Sequence, residues 1–394
     1  MLEGWEEKSL GDFGECKIGL TYSPGDVVES GGTLVLRSSN IRDGRLAYGD
    51  NVYVACTVPD GAIVREGDIL ICVRNGSRAL IGKSARIDAD AAGCAFGAFM
   101  AIFRSSINDY VFLLLSSEEF ARQVHRSLGA TINQITNADL KSFKFLFPPK
   151  NEQREIVKIL HSWDDALAKL AVLRDLKHER LNSLRYAMLF GELRLNDTRR
   201  NWAPTRLAAV THELTRRNGA KGLGRDFVMG VTKAQGVVPM REQTIAGDIS
   251  RYKRLPPRAF AYNPMRINVG SIAMNERDEE VLVSPDYVVF ACNADGLDPD
   301  YLDHLRKTSW WAHYINSGGS GSVRQRTYYD DLAALKLPLP ELDEQKAIAA
   351  VLNTARDDLA ATEREIEAVT LQKRGLMQKL LTGEWRVNSV KELA

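Results

Sequence analysis

Two stretches of this chain set arginine beside amide and hydroxyl side chains, the combination suited to base edges and phosphates. Residues 74–87 hold Arg74, Arg78, Lys83 and Arg86 with no acid among them, next to Asn75 and Ser77. Arginine and asparagine can each present paired hydrogen bonds to a base edge, and clustered cations bind phosphate by releasing counterions. Between Leu214 and Arg241 lie Arg216, Arg217, Lys221, Arg225, Lys233 and Arg241 against one acid, Asp226. Arg37 and Arg42 belong to a strand-turn segment, Leu36–Gly44, and Arg266 and Asn268 to the tract Tyr262–Ser271. Arg324 and Arg326 sit in a Gly/Ser loop, 318–326, which can approach a phosphate backbone closely. A solvated surface face has the same appearance, so these residues nominate a nucleic-acid surface without proving one.

Catalytic patterns fail in turn. Asn263-Pro264-Met265-Arg266 lacks the second proline and the aromatic of an amino-methyltransferase motif, and no glycine-rich cofactor loop precedes it. Glu344-Gln345-Lys346 could end a nuclease motif, but its twin Glu152-Gln153-Arg154 has no lysine. No Walker A sequence, HExxH or nucleophile elbow is present. The sequence holds no complete catalytic site.

That twin is the main organising feature. Glu152–Leu160 and Glu344–Leu352 match at a constant spacing of 192 residues, and the register holds on both sides. Asp139-Leu140, Lys144 and Pro148 answer to Asp331-Leu332, Lys336 and Pro340; Gly191-Glu192 and Arg194 answer to Gly383-Glu384 and Arg386. The period is too long for a solenoid and reads as a duplicated domain plus helix. Asn151 and Asp343 are expected as N-caps, followed by Glu152 and Glu344 in the first turn. Apolar residues then recur at helical spacing. The first copy has Ile156, Leu160, Trp163, Leu167, Leu170, Leu173, Leu181, Leu184 and Met188; the second has Ile348, Leu352, Leu359, Ile366, Val369, Leu376 and Leu380. Gly191 and Gly383 close the helices, each roughly 38 residues or about 57 Å. Two such stripes in one chain are expected to pair antiparallel.

The fold class is mixed α/β (α+β), with two globular domains separated by two long antiparallel helices in a pseudo-two-fold repeat. The expected divisions are 1–149, 150–195, 196–340, 341–386 and a tail at 387–394. Strands are expected near 33–37, 51–54 and 68–73, then 226–229, 258–262 and 287–290, with single helices near 109–127 and 299–315. At 394 residues, 44% apolar, 26% charged and net charge +1, the composition is that of an ordinary soluble protein, so any nucleic-acid surface must be local. Five cysteines without CxxC spacing are expected to be reduced and buried, and no apolar run approaches a membrane span. The expected location is cytoplasmic.

The two Leu-x-x-(Phe/Leu)-Lys-(Phe/Leu)-x-(Phe/Leu)-Pro runs, each leading to a Glu-Gln-(Arg/Lys)-x-x-Ile-x-x-(Ile/Val)-Leu helix and a Gly-Glu-x-Arg close, resemble the specificity subunit of a type I restriction-modification system. The resemblance covers essentially the whole chain. It implies a non-catalytic DNA-recognition subunit in which each globular domain reads half of an asymmetric bipartite duplex site. Half-sites about one helical turn apart, roughly 34 Å, would suit two readers on a rigid spacer. It also implies two modification subunits carrying S-adenosylmethionine and restriction subunits using ATP and Mg, with no cofactor on this chain. Glu152, Gln153, Glu344, Gln345, Gly191 and Gly383 would serve partner docking. The recognition subunit of a type IIB or related restriction enzyme, or a protein-interaction scaffold that binds no DNA, are the alternatives.

Overall fold

The computed structural model describes residues 3–129, 133–195, 202–220, 222–317 and 326–387. The chain forms two compact units, one from residues 1–169 with 365–394 and the other from residues 170–364. The divisions therefore fall inside the long helices, not at their ends. A single amphipathic helix cannot bury its stripe alone, so each unit takes part of both.

In the first unit a four-stranded antiparallel sheet runs Gly14–Ile18, Met100–Ser105, Ile69–Cys72, Ser84–Arg86. Ile69, Leu70, Ile71 and Cys72 are all fully buried, as expected of an apolar run without alternation. A second small sheet orders Ala95–Phe96, Thr33–Leu36, Tyr53–Val54 and Val27–Val28. The second unit repeats the first sheet as Thr211–Glu213, Val288–Cys292, Phe260–Tyr262, Ile272–Met274. It adds a hairpin, Met229–Thr232 with Gly236–Pro239. In each unit an early strand pairs with the strand leading to a long helix: Glu6–Ser9 with Lys144–Phe147, and Ala203–Arg206 with Lys336–Leu339.

Several sequence expectations are corrected. The helix expected at 109–127 is two, Asn108–Leu115 and Glu118–Ser127; that at 299–315 is also two, Pro299–Leu305 and Ser309–Ser317. One device breaks both. Ser117 Oγ donates to Leu114 O at 2.6 Å and accepts from Phe120 N at 3.3 Å; Thr308 Oγ1 donates to Leu305 O at 2.7 Å and accepts from Trp311 N at 3.3 Å. Each hydroxyl ends one helix and caps the next. The strand expected at 226–229 begins only at Met229, after a short 3₁₀ turn at Arg225–Phe227.

The long helices span Lys150–Leu189 and Leu342–Leu381, 40 residues each. Asn151 and Asp343 therefore lie within the first turn and are not the N-caps. Leu173 is exposed, with Val172 and Leu176. At this depth the partly buried line runs through Leu170, Ala171, Arg174 and Lys177 instead. In the second unit Lys177 Nζ reaches Asp358 Oδ1 at 2.7 Å and Thr362 Oγ1 at 2.9 Å. In the first, Lys373 Nζ meets Asp164 Oδ1 at 2.5 Å.

Each helix start is held by a clasp. In the first unit Arg386 Nε and Nη2 donate to Glu152 Oε1 and Oε2 at 2.8 and 2.9 Å, and Trp5 Nε1 donates to Oε2 at 3.3 Å. In the second, Arg194 Nε and Nη2 donate to Glu344 Oε1 and Oε2 at 2.8 and 3.1 Å, with Trp202 Nε1 at 3.3 Å. Each guanidinium also lies near its tryptophan ring, 5.9 and 4.9 Å from the centroid. In the first unit residue 152 meets 386 while 164 meets 373; in the second 177 meets 358 while 194 meets 344. The helices run in opposite directions within each unit. Gly191 and Gly383, with φ of +77° and +73°, turn the chain so that the arginine three residues on can reach its carboxylate.

All five cysteines are free, but only Cys72 is fully buried; the rest are half-buried. Burial pushes the Cys16 and Cys72 thiols up to about 11 and Cys292 up to about 12, which keeps them protonated and inert. Among the described residues no helix is long and apolar enough to cross a membrane.

Two predictions follow from this packing. Glu344→Ala leaves Arg194 without its bidentate carboxylate in a mostly buried setting. It should cost the second unit about 2–3 kcal/mol in urea unfolding, with a smaller loss for Glu344→Gln. His304 is buried between Arg185 Nε, 3.3 Å from its Nδ1, and Asn353 Oδ1, 3.0 Å from its Nε2. Burial is the main cause that holds its pKa down to about 4. The unfolded chain, titrating at the ordinary value of 6.5, then binds more protons below that pH. Stability should be full above pH 6.5 and fall as pH drops toward 4, by up to about 3 kcal/mol. Urea melts at pH 7.5 and 5.0 check this, since His304→Gln should lose much of the difference.

Candidate nucleic-acid interface

In the first unit, tertiary folding gathers residues from separate segments. The loop leaving strand Ile69–Cys72 carries Arg74, Asn75 and Arg78. Asn75 Nδ2 donates to Ser38 Oγ at 3.0 Å, which draws the Arg37–Arg42 turn alongside. Asn133 closes the other flank, its Nδ2 donating to Gly76 O at 3.0 Å and its carbonyl accepting from Asn75 N at 3.3 Å. Arg74 is exposed, with its guanidinium 4.8 Å from the Phe99 ring centroid. Phe99 itself is 54% exposed and Ile18 73%. Neither was a candidate from sequence, although Phe99 lies two residues after Gly97 and just before strand Met100–Ser105, where a solvent-facing aromatic is informative. Arg42 is exposed, Lys83 half-exposed, and Arg78 gives one hydrogen bond to Leu128 O at 3.3 Å.

Not every nominated cation is available. Arg37 is tied to Asp50 at 3.0 Å and Arg86 to Asp109. In the second unit Arg225 donates to Glu242 Oε1 at 2.7 Å, Ala246 O at 2.8 Å and Ile245 O at 3.4 Å. Its guanidinium holds a loop together within the second unit. Arg217 donates to Arg251 O at 2.8 Å but remains exposed, as does Arg216.

Arg266 and Asn268 are exposed on the loop that leaves Phe260–Tyr262, the counterpart of the Arg74 loop. Thr327 N donates to Pro264 O at 3.1 Å, so the segment carrying Arg326 closes on this loop as Asn133 closes on Gly76. Arg326 is fully exposed, and its hydrogen bond with Tyr328 strengthens the hold on its proton. It shares a cavity of about 380 Å³ with Asn263, Met265, Lys253 and Glu213. Burial there lowers the Lys253 pKa. Lys233 and Asn268 line a separate cavity of about 640 Å³. Lys221 and Arg324 lie outside the described residues.

Glu152, Gln153, Glu344 and Gln345 all make hydrogen bonds within the chain. The two carboxylates are nearly buried in their clasps. Gln153 Nε2 donates to Pro148 O at 2.8 Å and Gln345 Nε2 to Pro340 O at 2.9 Å, each tying a helix to the strand end before it. Gln345 also reaches Gly296 O at 3.1 Å and accepts from Asp298 N at 2.9 Å. Gly191 and Gly383 act as helix ends.

Residues 2–178 match the family model described as the type I restriction modification DNA specificity domain. The type I restriction enzyme EcoKI specificity subunit of Escherichia coli K12 is 25% identical, over 98% of this chain and 91% of its own length. The MjaVIII specificity subunit of Methanocaldococcus jannaschii is 23% identical over 98% and 94%. Among solved structures, the type I restriction-modification S subunit from M. genitalium shares the fold, with a TM-score of 0.56, 13% identity and 96% coverage of both chains. A chain from a structure of type I restriction-modification complex assembly also gives a TM-score of 0.56, at 16% identity, covering 97% of this chain and 99% of its own. The chain is thus similar over residues 2–178 to a type I restriction modification DNA specificity domain, and along its length to curated type I specificity subunits.

Proposed function

We propose that this chain is the DNA-specificity subunit of a type I restriction-modification complex, with each globular domain reading one half of a bipartite duplex site. One observation carries the reading. The two units repeat a single sheet order, yet the loop leaving the central strand is Arg74-Asn75-Gly76-Ser77 in one and Asn263-Pro264-Met265-Arg266 in the other. A shared frame bearing different polar loops is suited to reading different sequences, so the half-sites are unlike. Arg74, Arg78 and Arg266, with Asn268, are the base-reading candidates; Lys83, Lys233, Arg216 and Arg217 serve phosphates.

The chain carries recognition and leaves chemistry to its partners. Modification subunits would bring S-adenosylmethionine, and restriction subunits ATP and Mg. What supports docking on the long helices is their exposed apolar side chains: Val172, Leu173 and Leu176 on the first and Leu371 on the second. An aliphatic face of this kind suits a partner helix.

Two measurements test the proposal. Arg74→Ala and Arg266→Ala should each weaken binding to the cognate duplex by about 1–3 kcal/mol, and parent affinity should fall steeply with salt. Flat salt dependence with parent-like variants would favour a scaffold that does not bind DNA. Leu173→Glu with Leu176→Glu should reduce recovery of the co-expressed modification subunit in pull-down and leave the circular dichroism melt unchanged. Undiminished recovery would reject the docking face.

A further inference from the structure

The two units differ where strands Met100–Ser105 and Val288–Cys292, each second in its sheet, run into the next helix. In the first unit Tyr110 follows the strand end Ser105 at five positions; in the second Tyr301 follows Cys292 at nine. The tyrosines mark the same place, since each hydroxyl donates to the strand before a long helix. Tyr110 reaches Leu146 O at 3.4 Å and Tyr301 reaches Pro338 O at 2.9 Å. The second unit uses its longer connection to meet Gln345. Gln345 Nε2 donates to Gly296 O at 3.1 Å, Asp298 N donates to Gln345 Oε1 at 2.9 Å, and Leu297 between them is buried.

The shorter connection of the first unit offers Gln153 no such segment. Gln153 Nε2 keeps its bond to Pro148 O, but its Oε1 accepts no hydrogen bond among the described residues and is not sealed from solvent. Beside it lies a groove of about 770 Å³, between residues 106–110 and the first turns of helix Lys150–Leu189. That volume is in the range of ligand sites. Gln153 lines it with Ile107 and Val157, two partly buried apolar side chains. Lys150, Arg154 and Lys158 line the helix side, all exposed, and no described ion pair engages them. At the spacing of the repeat their counterparts are Leu342, Lys346 and Ala350, so only one of the three cations recurs. The acids of the groove are Asp109, paired with Arg86, and Asp165 at its far end.

We propose that this groove takes a short acidic peptide from a partner protein, in the place that residues 296–298 fill in the second unit. The peptide backbone donates to Gln153 Oε1, an aliphatic side chain covers Ile107 and Val157, and carboxylates meet Arg154 and Lys158. Free phosphate would satisfy the cations but bring no N–H for the amide oxygen and nothing for the apolar floor. A wholly apolar helix would cover the cations without any counter-charge. The second unit carries a segment of the required chemistry, Asp295-Gly296-Leu297-Asp298-Pro299-Asp300, whose Asp300 and Asp298 lie 3.1 and 3.9 Å from Arg258.

Calorimetric titration of the full-length protein with a peptide of the sequence of residues 293–300 tests the groove. The peptide should bind with a dissociation constant of about a millimolar or tighter. The same peptide with Leu297→Ser should bind about tenfold more weakly, the scale of one buried aliphatic side chain. In the protein, Arg154→Glu with Lys158→Glu, both at exposed positions, should weaken the unaltered peptide about fivefold at low salt and less at high salt. Gln153→Ala should weaken it about fivefold, the scale of one neutral hydrogen bond, with a circular dichroism melt to confirm folding. No binding, equal binding of the Leu297→Ser peptide, or parent-like binding by the double charge reversal overturns the proposal. Binding that appears only after residues 388–394 are removed assigns the groove to this chain's own tail and overturns it too. None of these readouts involves duplex DNA, so their failure is distinct from failure of the specificity-subunit reading.

Discussion

A carboxylate taken out of water at the start of a long helix has to be met by donors, and most of this fold can be understood from how it is met. Glu152 and Glu344 each receive two guanidinium hydrogen bonds and one from an indole. The helix start favours a negative charge but does not replace the lost hydration. The guanidinium comes from just beyond the C-terminal end of the other long helix, so satisfying the carboxylate within each unit requires antiparallel packing. A parallel arrangement would leave a buried acid alone at one end and an arginine alone at the other. The neighbouring glutamines extend the constraint, because each pins the strand end before its helix. The Pro…Glu-Gln start and the Gly-Glu-x-Arg close are two halves of one device.

With that frame secured by backbone ladders and the clasp, the loops between strands are free to differ. The counterpart loops 74–77 and 263–266 share neither length of side chain nor charge order, yet each is braced by a later segment, through Asn133 in one case and Thr327 in the other. Bracing matters for a recognition loop because ordering it in advance lowers the entropy lost on binding. The paired helix breaks at Ser117 and Thr308 show the opposite behaviour: sequence changes around them, but the hydroxyl that ends one helix and caps the next remains.

Charge is where local reading was least secure. Arg74 and Arg225 look alike in their tracts. Arg74 lies exposed over an aromatic ring, and Arg225 is consumed by one carboxylate and two carbonyls. Nothing within a few residues distinguishes them, because the partners of Arg225 are 17 to 21 positions away. The same limit misassigned Leu173 to the buried stripe. Its spacing suited helical periodicity, but which turn faces the neighbouring helix is set by that neighbour.

Read alone, the sequence was enough to determine the duplication, the long helices, the mixed α/β class and the family resemblance. These are properties of periodicity and repetition, which are local or exactly spaced and survive without coordinates. Tertiary structure decided the rest: that the compact units divide the helices internally, that the repeated Glu-Gln pair binds inward, which arginines stay exposed, and that Phe99 stands exposed beside Arg74. Each of these depends on contacts between residues far apart in the chain, and burial or pairing at such distances leaves no trace in composition or spacing.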